Sequence, residues 1–400
     1  MKRLTLEQAR QYMTSGAEAV GTEWVSVYDS IGRVLSEDIT AAMSQPPFPR
    51  SAMDGYALRW EDVQGASREN PAVLRVAGRL CAGDEGMPLG KEGVAIRIMT
   101  GAVIPPDANC VIRQEDTDYG EEWVKIFAEG RPQMNCCPAG EDFAQGEKLA
   151  SAGMLVDAYL ASAAASAGMA ALPVRRRVKV ALISSGEELC LPGEPLSPGK
   201  IYDSNRVYLT ARCRHFGCDV VLSKTVGDDK EAIAGNLKEA LAAADYVITT
   251  GGVSVGQKDL MPGIIKNYPG AEPGFHGILV KPGMPTLFAR ICGRPVLSLS
   301  GNPYSAAAIF ELLGVPLLHA LQGRRDAGPF MHTAVLAEAF PKKRPCLRIV
   351  RGYYDGEKVL VAAGQKNGQM KAGIGTNCLV LLPAGTAPIP AGETVKVYQI

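Results

Sequence analysis

Apolar and polar positions change rhythm several times along this chain, and the changes divide it. Residues 4–15 carry apolar side chains at helical spacing and predict an amphipathic helix, followed by a short strand at 24–27. From residue 59 to about 143 the period shortens. The runs 73–76, 94–98, 110–112 and 123–126 are β-type and alternate with Gly, Pro and Asp turns. Residues 155–168 return to a helical pattern, expected to pack against the N-terminal helix. From Val178 strand and helix alternate: strands at 178–184, 220–222, 246–248, 277–280, 286–289 and 296–299. Helices are expected at 204–216, from Asp228 to about 243, from about 260, and from Asn302-Pro303 to about 321. This alternation requires a mostly parallel sheet covered by helices. Residues 323–400 are short β runs again and predict a small barrel-like domain.

The expected fold is therefore α/β plus β in several domains. A helical N-terminal module covers 1–45 and 144–175, and an inserted small β domain covers 46–143. A central, mostly parallel α/β sandwich covers 176–324, and a C-terminal β-barrel-like domain covers 325–400. The first boundary falls at Ser44-Gln45-Pro46-Pro47-Phe48-Pro49, which cannot be regular structure.

The densest chemistry is Thr249-Thr250-Gly251-Gly252-Val253-Ser254-Val255-Gly256-Gln257-Lys258-Asp259. It is a glycine-rich loop at the carboxyl end of a strand, where open α/β sheets place ligands. Glycines let backbone N–H groups approach an anion, and Asp259 could hold a hard cation. The plainer alternative is a strand-to-helix turn with Asp259 as its N-cap. Val253 breaks a dinucleotide fingerprint, and Gln257 before Lys258 breaks a P-loop.

Further loops at strand ends begin at Ser185, Lys281 and Ser300, and parallel strands would bring them to one edge. That edge gathers the acids Glu188 and Asp259 with anion acceptors: the glycine loop, Lys281 and the helix start at Asn302-Pro303. Together they suit a phosphorylated ligand whose charge is offset by Mg2+. A second set lies in the β domain: Asp54, beside a glycine after the proline linker, Met99-Thr100-Gly101-Ala102, and Gly140-Glu141-Asp142. Each is also readable as a turn.

Composition narrows the partners. Of 400 residues, 46% are apolar and 21% charged, a globular balance. Lys+Arg and Asp+Glu are both 42, which leaves no electrostatic footprint for nucleic acid or a membrane surface. The Ala-rich run 158–171 is too short and weakly apolar to span a bilayer. Ten cysteines show no metal-binding spacing, and the first seven residues lack the apolar core of a secretion signal. Free thiols and a cytoplasmic location are the expectation. A redox role for adjacent Cys136 and Cys137 is disfavoured by strain.

Seven motifs occur in order: Ser51-Ala52-Met53-Asp54-Gly55-Tyr56-Ala57, Met99-Thr100-Gly101-Ala102, Gly140-Glu141-Asp142, Ile201-Tyr202-Asp203-Ser204-Asn205-Arg206, Gly251 to Gly256, Lys281-Pro282-Gly283 and Gly301-Asn302-Pro303. In them the chain resembles the molybdopterin molybdenumtransferase family, which includes the E domain of gephyrin. The resemblance implies a molybdopterin-binding α/β fold in an elongated, four-domain homodimer. It implies that adenylylated molybdopterin binds at the α/β edge, that molybdate enters its dithiolene, and that AMP is released with Mg2+ as cofactor. The implied catalytic carboxylates are Asp54, Asp142, Asp203 and Asp259, with metal at Glu188 and Asp259. The implied substrate contacts are Thr100, Gly101, Ser185, Gly251, Gly252, Ser254, Gly256, Lys281, Gly301, Asn302, Pro303 and Ser305. Asp54 would reach the site from the partner subunit. The molybdopterin adenylyltransferase and acceptor molybdoenzymes are candidate partners.

The chain also departs from the pattern. Met284 stands where the family has a second lysine, Ser300 where it has proline, Gln257 where Glu is common, and Asn367 where it usually has serine. Arg344 or Arg348 is the candidate compensating cation in the molybdate corner. Two alternatives follow: a pterin-binding scaffold or carrier with degraded catalysis, and a nucleotide hydrolase on the same fold.

Overall fold

The computed structural model describes residues 3–254, 259–326 and 330–400. Its centre is a sheet of six strands, in the order Asp219–Val226, Lys179–Ser185, Tyr246–Thr250, Arg294–Leu299, Leu287–Ile291 and Ala271–His276. The first four run parallel; Leu287–Ile291 runs antiparallel to Arg294–Leu299, and Ala271–His276 pairs antiparallel with Leu287–Ile291. Every residue of Tyr246–Thr250 is buried, as a strand covered on both faces must be. The carboxyl ends of the four parallel strands form one rim.

Helices cover both faces. Lys230–Ala243 and Met261–Lys266 bury Ile233, Leu237 and Ile264 on one side. Ser204–His215 and the run from Pro303 to Leu321 cover the other. That last run is long and apolar enough to cross a membrane, but 94% of its apolar window is buried inside the protein. It is the core helix, with a π-turn at Phe310–Gly314. There Glu311, buried, accepts a fork of hydrogen bonds from Arg212 (2.7 and 2.8 Å) and another from the Tyr208 hydroxyl (2.7 Å). The charge is thus paired and its oxygens satisfied, the condition for burying it.

The N-terminal helix is Leu6–Thr14, opened by a capping box between Thr5 and Gln8. It does not pack against the helix Ala158–Ser166, as its spacing suggested. Ala9 and Met13 join the cluster around Leu312, Leu317 and Val178. Ala158–Ser166 instead buries Leu160 and Ala164 with Leu35, Leu172 and Val174, beneath the antiparallel pair Thr22–Ser26 and Ala171–Arg175. A short apolar stripe specifies a face to be buried, not its partner.

The inserted segment forms a five-stranded sheet, in the order Cys110–Arg113, Gly55–Leu58, Val94–Ile98, Ala72–Leu80 and Trp123–Ile126. Gly55 is required: a Cβ there would collide with the Ile112 carbonyl oxygen of the neighbouring strand. At the C-terminus five strands close into a barrel. Leu347–Tyr354 pairs with both Lys358–Val361 and Cys378–Leu382, while Met331–Leu336 and Thr394–Gln399 complete the ring.

One strand expectation shifts. The expected strand at 277–280 is two elements. The edge strand is Ala271–His276; Gly277, at φ +100°, then turns the chain, and Val280–Lys281 leaves to pair with Leu347–Arg348 of the barrel. Pro273 and Gly274 disguised the edge strand as a turn, yet an edge tolerates both.

Candidate functional site

Three loops meet at the rim because glycine lets them. Gly251 follows Tyr246–Thr250 directly, with φ +91°, and a Cβ there would run into the Ser185 carbonyl oxygen. Its N–H donates to the Leu299 carbonyl at 3.1 Å. Gly301 packs against Gly251, and its carbonyl accepts from Asn205 Nδ2 at 2.8 Å. Ser185, Gly251, Gly252 and Gly301 are therefore brought together. The glycine loop is pinned further out: the Gly252 carbonyl accepts from the Met261 N–H at 3.0 Å, and His276 Nε2 donates to the Val253 carbonyl at 2.8 Å. Ser254 is exposed. Gly256, with Gln257 and Lys258, lies outside the described residues. Asp259 is half-buried where the loop leaves, one residue before Leu260, the cap position of Met261–Lys266.

Lys281 begins a strap, residues 281–285, that lies flat on the core helix. Gly283 allows this, since a Cβ there would collide with Ile309. The strap, Ser300, Asn302, the buried Ser305 and Asn367 line a pocket of about 230 Å³. Pro303 takes the first helical position with Asn302 at the cap. The Asn302 side chain does not cap, however; it contacts Ser300 Oγ, and the Tyr304 N–H donates to the Asn367 carbonyl at 2.8 Å. A barrel loop thus closes over the helix start. Arg351 fixes that loop: it donates to the Gly364 carbonyl at 2.9 Å and lies 3.8 Å over the Tyr304 ring.

Beside this pocket, and sharing Lys281 and Asn367 with it, is a cleft of about 690 Å³. Among the described residues its lining contains Lys281, Lys342, Lys343, Arg348 and Lys366, and no carboxylate. The two arginine candidates separate here. Arg348, in register with Lys281, lines the cleft, and its buried Nε has no hydrogen-bond partner among the described residues. Arg344 is buried in the barrel loops, donating to the carbonyls of Pro383 (2.7 Å) and Lys342 (3.0 Å). Volume alone does not choose the site. An apolar groove of about 1170 Å³ between the N-terminal helix and the barrel lacks a comparable cationic lining.

The remaining carboxylates divide. Asp203 is buried as the cap of Ser204–His215, accepting from the Arg206 N–H (3.1 Å) and the Thr225 hydroxyl (3.0 Å). Glu188 is exposed beside the turn at Gly186, near Ser185. Asp54 belongs elsewhere: its Oδ1 accepts from both the Thr100 amide (2.8 Å) and the Thr100 hydroxyl (2.7 Å). The hydroxyl chiefly, and the amide after it, hold this carboxyl below the ordinary carboxylate range. Gly101 donates to the Ser51 carbonyl (2.8 Å), which locks the Asp54 loop to the loop at Thr100. Asp142 is exposed, its N–H on the Gln45 carbonyl at 2.9 Å. Among the described residues no hydrogen bond or ion pair joins Asp54, Thr100 or Asp142 to the rim. Cys136 is half-buried, and its partial desolvation pushes the thiol up to about 11, which disfavours the thiolate beside Cys137.

Sequence reasoning missed Lys342, Lys343 and Lys366. The signal was present in Lys342-Lys343-Arg344 and Lys366-Asn367-Gly368, two short basic turns more than twenty residues apart. Only barrel closure puts them on one cleft.

Comparison with known proteins places these features in context. Residues 4–168 match the family described as the MoeA N-terminal region (domains I and II), 181–320 a probable molybdopterin binding domain, and 333–400 the MoeA C-terminal region (domain IV). The chain is 35% identical to molybdopterin molybdenumtransferase 2 of Mycobacterium tuberculosis over 92% of its length and 93% of that protein's. It is 34% identical to the molybdopterin molybdenumtransferase of Bacillus subtilis, covering 95% of this chain and 90% of that one. The crystal structure of a molybdopterin biosynthesis MoeA protein from Pyrococcus horikoshii superposes with a TM-score of 0.88 at 30% identity, covering 100% of this chain and 99% of the other.

Proposed function

This chain belongs to the molybdopterin molybdenumtransferase family, enzymes of molybdenum cofactor biosynthesis, and on that premise we propose that it inserts molybdate into adenylylated molybdopterin with release of AMP. The observation that carries the reading is the acid-free cationic cleft opening, through Lys281 and Asn367, onto the strap pocket beside the glycine rim. Glycine N–H groups and the start of the core helix suit the substrate's phosphates. Lys281 and Arg348 suit a tetrahedral dianion, Arg348 with a buried donor still to be satisfied. Ser300, Asn302 and Ser305 supply the polar wall between the two.

Mg2+ is part of the proposal. Among the described residues no group of three or more acidic, His or Cys side chains forms a cage. That is compatible with Mg2+, which takes one or two carboxylates and completes its shell with substrate phosphates and water. Glu188 and Asp259 would hold it, and when bound it would neutralise charge on the phosphoanhydride. Asp203, whose oxygens are committed to a cap, acts in this reading by fixing the helix that presents Asn205 to Gly301.

The enzyme would act in the cytoplasm as a homodimer. Within one chain Asp54 is held by Thr100, and among the described residues no hydrogen bond or ion pair joins it to the rim, so a partner copy would have to deliver it. The N-terminal module leaves Trp24, Tyr28, Ile31 and Tyr159 exposed, aromatic and aliphatic surface of the kind that interfaces cover. The carrier alternative rests on Met284, which leaves the strap without a second cation, and on Ser300. The decisive experiment supplies purified protein with adenylylated molybdopterin, Mg2+ and molybdate. AMP release and active cofactor are expected, and AMP that fails to appear overturns the reading.

A further inference from the structure

We infer that Lys342, Lys343 and Lys366 form an oxyanion vestibule, which draws a mononuclear tetrahedral dianion from solution and passes it to Lys281 and Arg348. This rests on the proposed molybdate chemistry and adds to it the residues that recruit the anion. All three lysines are exposed and line the cleft of about 690 Å³ outside the strap pocket of about 230 Å³. None of them is in an ion pair among the described residues, whereas Lys148 and Lys224, elsewhere on the surface, pair with Asp38 and Glu239. Among the described residues no acid lines the cleft to offset them. Like charges gathered without counter-charges cost stability through mutual repulsion, and an anion removes that repulsion. In register with Lys281, Arg348 also lines the cleft, and its Nε is buried without a hydrogen-bond partner among the described residues.

The vestibule also answers the loss at Met284. A lysine on the strap would hold the anion by direct contact inside the pocket. Lysines on the barrel act from outside, at distances where attraction depends on screening: the Debye length is about 8 Å at physiological ionic strength. Charge moved from wall to mouth shifts binding from short-range contact toward steering. Oxyanion capture by this chain should therefore be unusually sensitive to salt.

The test measures molybdate binding by equilibrium dialysis across a KCl series, for the wild type, for the K342Q/K343Q/K366Q triple variant, and for the corresponding triple Lys→Arg variant. Focused charge changes association by a factor of 10 or more. The glutamine variant should bind molybdate about tenfold more weakly at low salt, with a flattened dependence on KCl. Arginine should restore both, which separates loss of charge from loss of fold. In turnover the loss should fall on KM for molybdate rather than on kcat. Unchanged affinity and salt slope in the glutamine variant, no molybdate binding by the wild type, or preferential binding of AMP or phosphate in the cleft would each overturn the vestibule. Wild-type protein that binds molybdate with the expected salt slope but releases no AMP would leave the vestibule standing and remove the proposed reaction.

Discussion

Asp54 and Arg348 sit in opposite circumstances. The carboxylate is already served: two donors from one residue, Thr100, meet a single oxygen. The guanidinium is not, since its buried Nε finds no partner among the described residues, and the lysines around it are unpaired there. An anion stabilised in advance is being held in an orientation. A cation left unsatisfied is free to take a ligand, which is the role proposed for Arg348. The β domain thus presents a carboxylate already held in place, whereas the rim and barrel present unpaired donors, and the proposed reaction requires that the two meet.

The largest expected effect comes from breaking each half separately. Asp54→Asn and Asp259→Asn should each lower turnover by about a hundredfold or more, the usual loss when a reacting-centre carboxylate is neutralised. Asp259→Asn should leave pterin binding largely intact. If Asp54 serves the partner's rim, heterodimers carrying one substitution on each chain regain one complete site. Activity in co-purified mixed dimers, absent from either parent, is the expected result. Mixed dimers as inactive as their parents would mean that the two halves do not meet across subunits.

The two arginines sharpen the comparison at intermediate scale. Arg348→Gln should weaken molybdate binding by about ten- to a hundredfold, since a charge-assisted hydrogen bond contributes about 1.5–3 kcal/mol. Arg344→Gln should instead lower stability by about 1–3 kcal/mol, because it strands the Pro383 and Lys342 carbonyls inside the barrel loops, with little effect on molybdate. Denaturation and binding measurements on both variants check this exchange of roles. Weakened molybdate binding in the Arg344 variant alone would reverse the assignment.

The difference between the halves also explains what the sequence could reveal. The α/β domain was legible because its strands are buried on both faces and read as unbroken apolar runs, Val180 to Ile183 and Tyr246 to Ile248. The rim followed from topology, since parallel strands ending in glycine loops have to share an edge. The destination of an amphipathic face was not legible: Ala9 and Met13 would suit any apolar partner, and they chose the core helix. Nor was the cleft, whose cations come from positions 281, 342, 343, 348 and 366 and meet only when Val280–Lys281 pairs with Leu347–Arg348. Two neighbouring arginines with identical chemistry were indistinguishable until the barrel turned one inward and left the other lining the cationic cleft.

The smallest effect probes how Asp54 is held. Its ionised form is favoured first by the Thr100 hydroxyl and second by the Thr100 amide, so its folded-state pKa lies below the unfolded value. For a depressed carboxyl, the stabilisation is present above the unfolded pKa, about 3.9, and is lost as pH falls through the folded one. Thr100→Val removes the hydroxyl and keeps the amide, so the pKa should rise toward the ordinary range and carry the acid limb of the pH–rate profile upward. The rate at neutral pH should barely move, because the carboxylate is ionised there in either case. Thr100→Ser keeps the donor and should keep the limb in place. If the valine variant's limb stays where the wild type's lies, then a group other than Asp54 sets it. The hydrogen bonds at Asp54 would then serve to aim the group rather than to charge it.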